Sequence, residues 1–181
     1  LILALAVHTK LSDLNQRPRP LERALSGAVA DSVLLSAYPA TLFSKSVPVL
    51  IDRQGEYQTA RLDAVRKAAN AGVPILTGTD AGNPGLFQGY SLHRELVLLT
   101  QAGLSNWDAL AAATTAAGRF LDAPFGLQRG DRANLLVLDA SPLEDVRQTQ
   151  NIHRVIYRGQ IVNRSDFLNE AATSVPTVPT H

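Results

Sequence analysis

The sequence predicts an α/β fold of parallel strands and covering helices, followed by a small β unit. Three observations carry this. First, the helical pattern of residues 59–71, the apolar run Val73 to Leu76, a polar glycine-proline loop, and a second helical pattern over residues 91–102 follow one another. Helix, short buried strand, polar loop and helix is the repeating unit of a parallel α/β fold. Second, Leu1 to Val7 is nearly continuous in apolar residues, as a strand covered on both faces requires. Third, the periodicity changes at Leu121, and from there short strand patterns and turns take over.

Taken in order, Leu1 to Val7 is expected as a strand with His8 at its carboxyl end. The Arg- and Pro-rich stretch of residues 12–20 reads as a loop. A short helix is expected over residues 21–30 and a strand at Ser32-Val33-Leu34-Leu35. Thr41-Leu42-Phe43 is a further strand candidate, and Asp52-Arg53-Gln54-Gly55 reads as a turn. Over residues 59–71, Leu62, Val65, Ala68 and Ala69 follow helical spacing, and Gly72 suits the position just past the end. The strand of residues 73–77 leads into the Asp80 loop. Leu92, Leu96 and Leu99 then stack on one helix face, which Gly103 ends. Ser105, three residues before Asp108, is the expected cap of an alanine-rich helix ending near Gly118. Gly126 to Asp131 reads as a turn and residues 134–138 as a strand. Ser141-Pro142-Leu143 breaks the chain. Residues 152–157 and 160–162, joined by Arg158-Gly159, read as a hairpin with a two-residue loop. The stretch from Ala171 reads as a loose tail.

Composition narrows the function. The chain has 181 residues, 17 basic and 16 acidic, for a net charge of +1. That balance gives no electrostatic footprint for nucleic acid or an anionic membrane. There are no cysteines, so disulfides and thiolate metal sites are excluded. A metal site must draw on carboxylates, backbone or the histidines His8, His93, His153 and His181. No apolar run reaches the roughly 18 to 20 residues of a membrane span. Leu1 to Val7 lacks the basic leader and cleavage site of a signal peptide. A soluble chain is expected, with its compartment left open. The strand-like opening, without an initiating Met, suggests a start inside a larger protein.

Four fragments carry a resemblance. They are Ala71 to Gly82, containing Thr77-Gly78-Thr79-Asp80-Ala81-Gly82; Leu92-His93-Arg94-Glu95-Leu96 with Gln101-Ala102-Gly103-Leu104-Ser105; Asp108-Ala109-Leu110 with Ala112-Ala113-Thr114; and Gly130 to Asp139 with Ser141-Pro142-Leu143 and Gly159-Gln160-Ile161-Val162. In this order and spacing, residues 62–162 resemble the amidohydrolase superfamily of metal-dependent hydrolases. They look most like the branch containing imidazolonepropionase and the prolidase-like peptidases. The resemblance implies a partial (β/α)8 TIM-like barrel, its later strands over residues 1–122. Carboxyl-terminal strands of a small β-sandwich follow over residues 123–165, and a tail over 166–181. It implies a divalent metal, with zinc the expected ion. Asp80 matches the family's strand-eight aspartate, which binds metal and handles the proton of the attacking water. Leu1 to His8 resembles the fifth strand, whose terminal histidine is a metal ligand. The paired histidines of the first strand and the fourth-strand lysine or glutamate have no counterpart. A sixth-strand histidine is expected where Leu35 and Ser36 stand; either the register differs or that ligand is lost. The chain thus looks like the carboxyl-terminal part of such an enzyme.

A catalytic zinc normally takes three protein ligands and one water. With His8 and Asp80 as its two candidates, the chain alone is expected to bind zinc poorly and turn over little. A tight one-to-one site abolished by Asp80→Ala would overturn that. The alternative for Asp80 is a strand-end residue capping the next turn. Asn83 and His93 are candidates to line a substrate pocket. For Asn83 the alternative is a turn, and for His93 it is packing or capping on its helix. Glu95 is read as pairing with Arg94 or solvent, and His153 as a solvated strand residue. The Gly78 to Gly82 loop lacks the Gly-Lys-Ser/Thr ending of a phosphate loop. The expected activity is hydrolysis of C–N bonds in a small amide, cyclic amide or dipeptide by metal-activated water. An inactive remnant or interaction module of the same fold is the alternative, and self-assembly stays open. An aldolase-like barrel ranks last, because Lys10, Lys45 and Lys67 fall in loops or on a helix.

Overall fold

A computed structural model describes residues 2–3, 5, 54–81, 86–123 and 127–165. The readings for residues 6–53, for the Asn83 loop, and for the tail beyond 165 lie outside the described residues. The described elements are β1 (Ile2–Leu3), α1 (Gln54–Asn70), β2 (Leu76–Thr77), α2 (Tyr90–Gln101), α3 (Asn106–Ala113), α4 (Thr115–Phe120), β3 (Leu135–Leu138), a 3-10 helix (Val146–Gln150), β4 (Ile152–Tyr157) and β5 (Gln160–Val162). β1 and β2 pair in parallel, with Ile2 opposite Leu76 and Leu3 opposite Thr77. β3, β4 and β5 form a separate antiparallel sheet in that order.

α1 starts at Gln54, so the expected Asp52–Gly55 turn gives way to helix at its last two residues. Gly55 sits in the first turn, where helix ends already fray. At the other end the chain closes as the glycine predicted. Gly72 has φ +76, and Val73 N–H donates back to the Ala68 carbonyl at 3.0 Å. That six-residue return is the Schellman stop. α2 ends the same way. Gly103 has φ +104, and Leu104 N–H reaches the Leu99 carbonyl at 3.2 Å.

Both parallel strands are shorter than their apolar runs. Val73 is 41% exposed and only Leu76 in that run is buried, at 7%. Pro74 offers no N–H to a ladder, so pairing begins after it. At the amino end, β1 stops at Leu3 and Leu5 already has helical backbone. A single strand from Leu1 through Val7 is therefore interrupted at Leu5. β1 lies directly beside β2, and the strand readings that fall between them in sequence lie outside the described residues.

The core gathers on α2. Leu96, Leu98 and Leu99 are buried there and Ala102 just past its end, with Val65 from α1, Ala109 and Ala112 from α3, and Val146 from the 3-10 helix. Leu92, expected on that face, is only half-buried. α3 opens as read. Ser105 Oγ accepts the Asp108 N–H at 3.1 Å and donates to Asp108 Oδ2 at 2.6 Å. The single alanine-rich helix expected here is broken at Thr114, whose φ and ψ are −128° and −92°. Its hydroxyl donates to the Leu110 carbonyl at 2.7 Å, a side-chain bond that competes with the helix ladder. α4 then runs through Gly118 to Phe120 rather than ending at the glycine.

The hairpin matches its reading residue for residue. Tyr157 pairs with Gln160, and Arg158 and Gly159 take φ of 52° and 79°. Two consecutive positive φ values make the turn whose twist suits a tight hairpin. The 3-10 helix between Asp145 and Asn151 has no counterpart in the sequence reading. Asp145 Oδ1 accepts the Arg147 N–H at 3.0 Å and so starts it.

Candidate functional site

Asp80 follows β2 by three residues, at the carboxyl end where loops of a parallel sheet converge. Its φ is 52°. Aspartate is among the few residues that tolerate this left-handed conformation. The residue is exposed. β2 itself is held from the side, as Thr77 Oγ1 donates to the Ala112 carbonyl on α3 at 3.5 Å.

His93 occupies a different place. It lies on α2 and faces the 3-10 helix, with Nδ1 2.9 Å from Thr149 Oγ1. The Thr149 hydroxyl donates its one proton to the Val146 carbonyl at 2.8 Å. The ring nitrogen must therefore donate, which leaves Nε2 with the lone pair. Burial pushes the His93 pKa below its usual 6.5, because desolvation penalises the charged ring. The ring lines a groove of about 340 Å³ together with Gln58, Tyr90, Arg94, Arg147 and Gln150. Asp80 is not among the residues that line it. His93 therefore packs against the 3-10 helix through Thr149.

His8 and Asn83 lie outside the described residues. Among the described residues, no group of three or more His, Cys, Asp or Glu side chains could hold a metal ion. The donor chemistry of Asp80 suits a divalent cation, but it is a single ligand. His153 is exposed as expected, with Nδ1 3.1 Å from Asp139 Oδ1.

Glu95 corrects the solvent half of its sequence reading. It is 0% exposed and pairs with the chain's amino-terminal segment rather than with solvent. Its Oε1 accepts the Leu5 N–H at 3.0 Å, across 90 residues of sequence. The signal was present in the spacing. Glu95 stands four residues after Ser91, three before Leu98 and four before Leu99, all of them buried. A glutamate on the buried stripe of a helix needs an internal partner. Ser91, also 0% exposed, satisfies itself locally, for its Oγ accepts the Phe87 N–H at 2.9 Å.

Among the described residues no helix is long and apolar enough to cross a membrane.

Comparison with known proteins places this geometry. The amidohydrolase family model matches residues 7–162. Among solved structures, the chain is similar to a prolidase candidate from Bifidobacterium longum, with 28% identity over 95% of this chain and 39% of that one, TM-score 0.63. It is similar in fold to a bottromycin amidohydrolase, at 23% identity over 94% of this chain and 38% of that one, TM-score 0.65. A Xaa-Pro dipeptidase with methionine bound in its active site shares the fold at 24% identity, over 72% of this chain and 33% of that one, TM-score 0.55. The chain spans 33% and 39% of the length of the dipeptidase and the prolidase candidate. No curated protein matches it. These neighbours imply a TIM-barrel-type fold. A match over residues 7–162 covers most of the sequence, and the chain belongs to the amidohydrolase family.

Proposed function

We propose that this chain contributes the carboxyl-terminal part of a metal-dependent hydrolase acting on C–N bonds of small amides, cyclic amides or dipeptides. In this reading residues 1–122 supply later barrel strands, 123–165 part of a small β-sandwich, and 166–181 a tail. One observation carries it: Asp80 stands at the end of a parallel strand inside a stretch that matches the family. The similarity to a prolidase candidate supports dipeptides within that substrate range.

A bound divalent cation, zinc by expectation, would supply Lewis-acid polarisation of the scissile carbonyl and an acidified water. Asp80 and His8 would hold it. Asp80 would also accept the proton of the attacking water and return it to the leaving amine. Asn83 and His93 orient the substrate. Because His93 Nδ1 is committed to Thr149, its part falls to Nε2, as an acceptor from an amide N–H.

Isothermal titration with zinc tests the reading. Two ligands make a weak site, so micromolar or poorer binding is expected in the wild type. Asp80→Ala is expected to remove it and Asp80→Glu to keep part of it. A zinc isotherm indifferent to Asp80→Ala ends the proposal.

A further inference from the structure

Glu95 is a fully buried carboxyl group to which the chemistry above assigns nothing. Keeping such a group in a core is costly unless its oxygens accept hydrogen bonds. One of them takes the Leu5 N–H at 3.0 Å. That amide has particular needs. Leu3 is still strand and Leu5 is helical, so no complete helical turn precedes Leu5. Its N–H is one of those that a helix start leaves without an i−4 carbonyl. Glu95 therefore meets the chain where it leaves β1, two residues past the pair Leu3 and Thr77.

The same helix is well placed to act as a fixed post. α2 carries Leu96, Leu98 and Leu99 into the core, and it begins nine residues after Ala81 in the loop that leaves β2. β1 is two residues long, and a two-residue parallel pair sets its own register weakly. The contact at Leu5 supplies a third fixed point beyond that pair.

We propose that Glu95 is a positioning residue that fixes the exit of the amino-terminal strand against the Asp80 strand. It does so by accepting the Leu5 amide. β1 pairs with β2, the strand that leads to Asp80, so the anchor bears on how that end of the parallel pair is held. Its effect on zinc binding rests on the metal-site reading above; the anchor itself does not.

Amide hydrogen exchange of the full chain by NMR, with zinc titration alongside, tests it. Ala112, buried on α3 at 2% exposure, serves as the reference amide. Glu95→Leu keeps the volume and removes the acceptor. It is expected to speed Leu5 exchange by about tenfold or more beyond any change at Ala112, and to weaken zinc binding. Glu95→Gln retains an acceptor oxygen and is expected to restore both. Equal acceleration of Leu5 and Ala112 in Glu95→Leu overturns the anchor, as does failure of Glu95→Gln to protect Leu5. If Asp80→Ala leaves zinc binding unchanged while the exchange pattern holds, the metal site fails and the anchor stands.

Discussion

The helical layer around α2 and the three-stranded sheet β3–β5 are both rich in leucine, isoleucine and valine, yet they use them differently. In α2, five residues are buried, two of them polar. In β3, β4 and β5 no side chain is buried. Register explains part of this. Leu135, Ile156 and Ile161 lie across from one another on one face, and Leu136, Val155 and Val162 on the other. The sheet is thus apolar on both sides. Leu136 at 52% and Ile161 at 64% stay exposed. Apolar composition marks an element for burial, but a partner face decides whether burial happens. The two regions meet at the 3-10 helix, where Val146 and Thr149 are buried against α2.

The largest expected effect breaks the helical layer. Leu99 is 0% exposed at the centre of the core. Leu99→Ala removes that packing and leaves a cavity, with an expected cost of about 2–5 kcal/mol. Urea unfolding measures it. A cost under about 0.5 kcal/mol would mean that α2 is not the post on which the layer rests.

A smaller effect sharpens the seam between the regions. His93 is held neutral by burial, its pKa below 6.5. The unfolded chain therefore binds more protons than the folded one between the folded pKa and 6.5. Stability is full above the unfolded value and is lost as pH falls through the folded one. Unfolding midpoints across about pH 5 to 8 are expected to drop on the acid side in the wild type. His93→Gln removes the titrating ring and should flatten that part of the profile. An unchanged profile would place the acid sensitivity elsewhere.

The same comparison explains what could be read from the sequence. The hairpin was legible because Arg158-Gly159 between two apolar runs is local turn chemistry. The Ser105 cap and the glycine stops at Gly72 and Gly103 were legible for the same reason. Asp80 at a strand end followed from pattern and loop composition. What escaped depends on distant partners. The spacing marks Glu95 for burial, but its partner Leu5 comes from 90 residues away. Thr149 gives no sign of holding His93 until the 3-10 helix packs on α2. The brevity of β2 lies between these cases. Pro74 gave a warning, but the exposure of Val73 reports which neighbours are present.

The smallest expected effect is the most direct test of the contrast. Leu136 matches Leu99 in side chain but is 52% exposed. Its neighbours across the sheet are Val155 and, beyond it, Val162. With half its surface already in water, Leu136→Gln forfeits little transfer free energy and keeps the strand's backbone bonds. The expected change is within about 0.5 kcal/mol, measured in the same urea series as Leu99→Ala. A loss comparable to that of Leu99→Ala would mean that this face is covered in solution. The difference between the regions would then lie in what packs on the sheet, and not in how its residues are arranged.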